Sequence, residues 1–397
     1  MYRLINQAQG YVWGSTSTIP NFLGGDTSGE PVAEVWMGTH ALAPSTVEAE
    51  HGERLPLTEV AGELPFLMKI LAADKPLSLQ VHPSRALAEA GFAADEAQGI
   101  ALDAPNRSYK DPHHKPEMAY ALTTFDSLVG FRPTAEILRV LAGIDTPLTQ
   151  RLAKQLRAKP GFKGIVRMLA GLLDEDHPVG PDEIRRVVDA CQDALDRGMD
   201  IKRAYATAVE VAVYFPEDVG TVVSLLLNRL TLQPGEAAFL GAGIIHAHLS
   251  GMCLEVMACS DNVLRAGLTT KLIDRKGLVR CLDKGMSRVA RMTPHQVGFS
   301  TDVFSPDVDE FALAVTQCSL ADVDGVELPS RGARILICTG GYVDLENEAG
   351  QSIKMARGDS VFASASDGLL KARGIGEVAQ AYAPHPDAPA GTMVDLV

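Results

Sequence analysis

The stretch Lys75-Pro76-Leu77-Ser78-Leu79-Gln80-Val81-His82-Pro83 decides how this chain is read, because polar and apolar residues alternate across it with a period of two. In an extended chain Gln80 and His82 share one face, while Leu79 and Val81 turn the other way into a core. Pro83 ends the strand. The pattern describes a half-buried strand that presents two polar side chains able to bind metal, or a hydrogen-bonded pair on the same strand. What the remaining chain brings to that face decides between them.

Around this stretch, residues 1–133 break into short apolar runs separated by Gly, Pro, Asn and Asp, as in Leu23-Gly24-Gly25-Asp26 and Thr58-Glu59-Val60-Ala61-Gly62. Antiparallel strands are expected, with Val35–Gly38 and Phe66–Leu71 the clearest. Ala86–Ala97 has the composition of a short helix. The loop from Tyr109 to Pro116, pinned by two prolines, feeds an apolar strand with Glu117 at its mouth.

From Pro133 to about Tyr214 the period changes to that of a helix. Thr146-Pro147 is an N-cap followed by proline in the first turn, with Leu148, Leu152 and Leu156 behind it. Ile165, Met168, Leu169 and Leu172 form a second stripe, Pro181-Asp182-Glu183 opens a third helix, and residues 201–213 form a fourth. Strand character returns at Ser224–Leu232.

Composition bounds the function. The 397 residues carry a formal charge of −14, which argues against nucleic acid as the main partner. No apolar run approaches the roughly 18 residues of a membrane span, and no signal peptide is visible, so a cytoplasmic protein without membrane contact is expected. The six cysteines form no C-x-x-C pair and read as reduced core thiols.

The segment Gly235-Glu236-Ala237-Ala238-Phe239-Leu240-Gly241-Ala242-Gly243-Ile244-Ile245-His246 resembles the second sequence motif of the cupin jelly rolls, with Gly241 where that motif has proline. In cupins this histidine joins ligands from an earlier motif on one metal. Gln80, His82 and Glu117 would fill the earlier role. Gly358-Asp359-Ser360-Val361-Phe362 repeats the Gly-acid-x-x-Phe pattern without a following histidine, so a second, degenerate barrel with a packing role and no metal is expected. The chain is therefore read as mainly β with an α-helical insert: two cupin-like jelly-roll barrels plus a helical domain. Residues 1–133 and 217–305 form the catalytic barrel, 134–216 the helical insert, and 306–397 the C-terminal barrel.

Five motifs stand in order: Ala33–His40, Gln80-Val81-His82-Pro83, His114-Lys115-Pro116-Glu117-Met118, Gly130-Phe131-Arg132-Pro133, and Ser260-Asp261-Asn262-Val263-Leu264-Arg265-Ala266-Gly267. With them the chain resembles the type I mannose-6-phosphate isomerases from Trp13-Gly14 to about Lys271. It departs at His113, Ala41 and Ile245-His246-Ala247-His248, where that family has asparagine, proline and Pro-His-Ala-Tyr.

The resemblance implies one Zn²⁺ per chain held by Gln80, His82, Glu117 and His246. The donor set alone leaves Fe²⁺ and Mn²⁺ open. It implies a sugar-phosphate substrate and interconversion of mannose 6-phosphate and fructose 6-phosphate through a cis-enediol. Arg265 is expected at the reacting carbons, with His114 as candidate proton carrier and Asp261 as the alternative or as the partner of Arg265. Lys115 and Lys271 are candidates for the phosphate, and Trp13 and Glu255 for the pocket wall. A monomer is expected. The rival readings are a non-catalytic sugar-phosphate-binding cupin and an iron-dependent cupin oxygenase.

Overall fold

Leu79–Val81 is a three-residue strand in the computed structural model, which describes residues 1–48, 52–282, 290–384 and 392–395. Leu79 and Val81 are fully buried and Gln80 is half-buried, as the alternation requires. The strand sits between Leu264–Gly267 and the first residue of the long strand His246–Ala258. That long strand serves two sheets. Its start pairs with Phe125–Phe131, and its later part runs between Phe66–Ala73 and Glu117–Ala121. The crossing occurs at Gly251, whose φ of +105° suits glycine and where a Cβ would stand 2.3 Å from the Thr124 carbonyl oxygen.

Side-chain parity sorts three environments. Ala119, Ala121, Leu71, Cys253 and Val129 face the interior of this first barrel. Met118, Tyr120, Met68, Ile70, Leu254 and Val256 face outward and pack on Phe304, Leu313, Ile335 and Phe362 of the second barrel. Leu79, Val81, Leu128, Ile245 and Ala247 face the helices.

The helical insert occupies the connection between two paired strands, Phe125–Phe131 and Leu227–Leu232, which run antiparallel from Phe131↔Leu227 to Phe125↔Leu232. An insertion there leaves the ladder intact. Thr146 caps Pro147–Ala158 in a reciprocal capping box with Thr149, and the expected leucines are buried. Helices at Phe162–Leu172, Pro181–Asp196 and Ala204–Tyr214 match the other stripes. Two elements differ from expectation. Leu57–Ala61 is a helical turn closed by Gly62 rather than part of a strand run, and Gly220–Ser224 is a short helix, so the next strand begins at Leu227.

The second sheet system contains Thr301–Phe304, Ala312–Cys318, Leu370–Tyr382, Arg334–Asn347 and Ser360–Ala363. It also takes in Tyr2–Ile5, Thr46–Glu48 and Arg54–Pro56 from the start of the chain, while Thr392–Asp395 pairs with Ala290–Thr293 of the first barrel. Pairing thus crosses the boundaries expected at 305/306 and in residues 1–133. Hydrophobic periodicity locates strands but not their partners, so both ends of the chain could exchange barrels unseen. Among the described residues no helix is long and apolar enough to cross a membrane.

Candidate metal centre

The sheet registers place the candidate residues together. Arg265 pairs with Gln80, and Gln80 pairs with His246, so the three form one row across adjacent strands with side chains on one face. Glu117 enters from the other sheet, at the first residue of its strand, with the parity of Ala119 and Ala121. His82 follows the Leu79–Val81 strand. Glu117 Oε1 lies 2.8 Å from His246 Nε2, Glu117 Oε2 lies 3.3 Å from His82 Nε2, and the Gln80 amide nitrogen is 3.2 Å from His246 Nε2. A half-turn of that amide presents its oxygen instead.

Each imidazole is held from behind. His82 Nδ1 donates to the Asn262 carbonyl at 2.7 Å and His246 Nδ1 donates to the Ile244 carbonyl at 2.9 Å. With Nδ1 committed as donor, the neutral rings aim Nε2 lone pairs at the Glu117 carboxylate. Among the described residues His82 Nε2 and Glu117 Oε1 are buried without a hydrogen-bond partner. Lone pairs converging on a buried anion repel one another unless a cation stands among them, so the residues fit a metal ion. Burial lowers the His82 pKa against the pull of Glu117. For Glu117 burial works toward a higher pKa; positive charge and Nε2–H donors on His82 and His246 would pull its carboxyl well below the usual range, and with the rings neutral a cation takes that place.

The other expected residues divide. Lys115 turns to the cluster, with Nζ 3.9 Å from Glu117 Oε2. Lys271 lies apart, lining with Arg265, Lys110 and Thr270 a cavity of about 700 Å³. Arg265 has its pKa lowered by burial. Asp261 is exposed, with Oδ1 3.4 Å from His40 Nε2, and its carboxyl is held low by His40 and Lys115 against partial desolvation. His114 turns away from its neighbour Lys115, and its Nε2 meets Glu310 Oε1 of the second barrel at 2.6 Å. Trp13 stacks on Tyr11. Glu255 faces Lys69, whose Nζ is 3.5 Å from Glu255 Oε2 and 3.6 Å from Glu34 Oε2.

Three residues escaped the sequence reading. Lys69 is buried in an otherwise apolar strand, and although burial opposes its charge, Glu34, Glu255 and Glu117 raise its pKa above the ordinary value. A lysine amid buried residues was the available signal. Glu34 is the second. Asn262 is the third: besides holding His82, its amide bonds the Asp111 and His113 carbonyls and the Lys110 amide, tying the His114 loop to the 260–262 turn.

The family model described as phosphomannose isomerase type I, catalytic domain, matches residues 1–134. The mannose-6-phosphate isomerase of Escherichia coli is 36% identical over 405 aligned residues, covering 96% of this chain and 99% of its own. The human mannose-6-phosphate isomerase is 30% identical, covering 91% and 92%. Among solved structures, mannose 6-phosphate isomerase from Salmonella typhimurium bound to substrate and zinc superposes with a TM-score of 0.85 at 34% identity, covering 96% and 99%.

Proposed function

Because the chain belongs to the type I phosphomannose isomerase family, we propose that it interconverts mannose 6-phosphate and fructose 6-phosphate with one zinc held by Gln80, His82, Glu117 and His246. The observation that carries this reading is the convergence of two tautomer-fixed imidazoles on a buried, ionised carboxylate. When bound, zinc supplies a Lewis acid for substrate oxygens.

The chain's own residues supply the rest. The reaction moves one proton from C2 to C1 and another from the C2 hydroxyl to the carbonyl oxygen, through a cis-enediol. Negative charge develops on the oxygens as the carbon-bound proton leaves. Arg265, in one row with Gln80 and His246, is suited to stabilise that charge, and its stabilisation counts most where the pocket is dry. Asp261, backed by His40, is the carboxylate available to carry the proton between the adjacent carbons. His114 is committed to Glu310 and fits the role of holding its loop. Lys271, in the cavity beside Arg265, is suited to the phosphate, and Lys115 to a substrate oxygen near Glu117.

A coupled assay on mannose 6-phosphate, before and after chelation, tests the proposal. Activity should disappear with the metal and return with zinc. Turnover that survives complete metal removal contradicts the metal assignment, and a zinc-loaded protein without turnover favours a binding module. Oxygen consumption with stoichiometric iron would favour the oxygenase reading.

A further inference from the structure

Sharing Glu117 with the proposed zinc ligands is a second buried group of potential ligands, Glu117, His248 and Glu255, with ligand atoms within 4.8 Å of one another. His248 stands where the resembled motif carries tyrosine. A cation already serves this group: the Lys69 ammonium, 3.5 Å from Glu255 Oε2, 3.6 Å from Glu34 Oε2 and 4.7 Å above the Trp36 ring. Adding a divalent ion beside that ammonium and the first zinc would bring like charges together in a dry site.

We propose instead that His248 is a positioning residue, which fixes Glu255 and through it aims the Lys69 ammonium at substrate oxygens beside Glu117. This rests on the isomerase reading above. The carboxylate of Glu255 only accepts, so His248 Nε2 donates to Oε1 at 3.3 Å. In the neutral ring Nδ1 is then an acceptor, and the Ser127 hydroxyl donates to it at 3.0 Å. Phe125 packs at 5.0 Å between ring centroids and limits rotation. At the other end Trp36 Nε1 donates to Glu34 Oε2 at 2.6 Å. Ser127, His248, Glu255, Lys69, Glu34 and Trp36 thus form one chain of polar contacts, every member buried. Among the described residues each oxygen of Glu255 has one partner. Without His248, Oε1 loses its donor and the carboxylate is free to turn, taking the ammonium with it. A tyrosine hydroxyl can donate to the same oxygen, whereas phenylalanine keeps the ring and removes the donor.

Steady-state kinetics on mannose 6-phosphate and metal content are measured for wild type, His248→Phe, His248→Tyr and Ser127→Ala. His248→Phe should lower kcat about tenfold or more with KM within about threefold, since Lys69 acts where charge develops. Zinc should stay at one per chain, and His248→Tyr should recover most of the loss. Ser127→Ala should lower kcat by roughly two- to threefold. Wild-type kcat in His248→Phe overturns the proposal, as does a His248→Tyr variant equally impaired. A second zinc in wild type that His248→Phe lacks makes His248 a ligand and also overturns it. If His248→Phe does not fold, unchanged kcat in Ser127→Ala is decisive against. Loss of isomerisation in wild type itself is a separate result, which removes the isomerase reading and this inference with it.

Discussion

The two barrels begin corresponding hairpins with the same turn and end them differently. Gly235 and Gly358 both have positive φ, +89° and +94°. In each, the acidic residue that follows accepts the amide three residues back: Glu236 from Gln233 at 2.8 Å, Asp359 from Ala356 at 2.9 Å. Strands Ala237–Leu240 and Ser360–Ala363 follow. In the first barrel the chain then turns through Gly241-Ala242-Gly243, whose last amide bonds the His82 carbonyl at 2.9 Å, and returns with His246. In the second it turns through Ala365–Asp367, and the core beyond is filled by Val343, Leu345, Met355, Leu370 and Val378. The same turn opens both hairpins, and only the first returns a histidine beside Glu117.

The largest break of this comparison removes charge from the first barrel alone. Glu117→Gln keeps the shape and abolishes the anion on which the imidazoles converge. Bound zinc should fall below detection after dialysis, and kcat/KM should drop by about three orders of magnitude or more. Thermal unfolding separates this from a damaged fold. Zinc should raise the wild-type melting temperature and leave the variant's unchanged, because a ligand stabilises only the state that binds it. A variant that still takes up stoichiometric zinc would show that Glu117 is not needed to hold the metal.

How much of this was legible in the sequence follows the range of each signal. Period-two and period-3.6 patterns depend on neighbours, so Leu79–Val81, Pro147–Ala158 and the shared Gly-acid turn could be read locally. The proposed ligands Gln80, His82, Glu117 and His246 could be named because each lies in a motif that carries the family resemblance. Lys69 was not, because its meaning lies in Glu34 and Glu255, which only the pairing of three strands brings to it. Asn262 lay in a quoted motif yet had no assigned role, since its work is done partly by a backbone carbonyl. The exchange of terminal strands between barrels has no local signature at all.

A smaller effect tests whether the shared turn is needed as glycine in both barrels. Gly358→Ala should destabilise by roughly 1–3 kcal/mol, the usual cost of a side chain in a left-handed conformation, with a further push from Leu23, whose Cα would lie 3.0 Å from the new Cβ. Gly235→Ala meets only the Tyr120 hydroxyl at 4.0 Å, so strain alone should act there. Urea unfolding measures both. Zinc content should be unchanged in Gly358→Ala. Equal stability of that variant and wild type would mean the turn can relax.

The smallest effect concerns the tie between the barrels. Glu310, from the second barrel, bonds His114 at 2.6 Å and Arg85 at 2.7 Å. The hydrogen bond from His114 outweighs burial and holds the Glu310 carboxyl at about 2, below its ordinary 4.5. A carboxyl with a lowered folded-state pKa binds its proton more readily when unfolded. Its contribution to stability is therefore present above the unfolded value and fades as pH falls from about 4.5 toward 2. Glu310→Gln should unfold at lower urea than wild type at pH 6, and the two midpoints should converge across that acid window. A difference that persists undiminished at pH 2.5 would assign the effect to packing at the barrel interface, and no difference at pH 6 would mean that the tie adds nothing to stability.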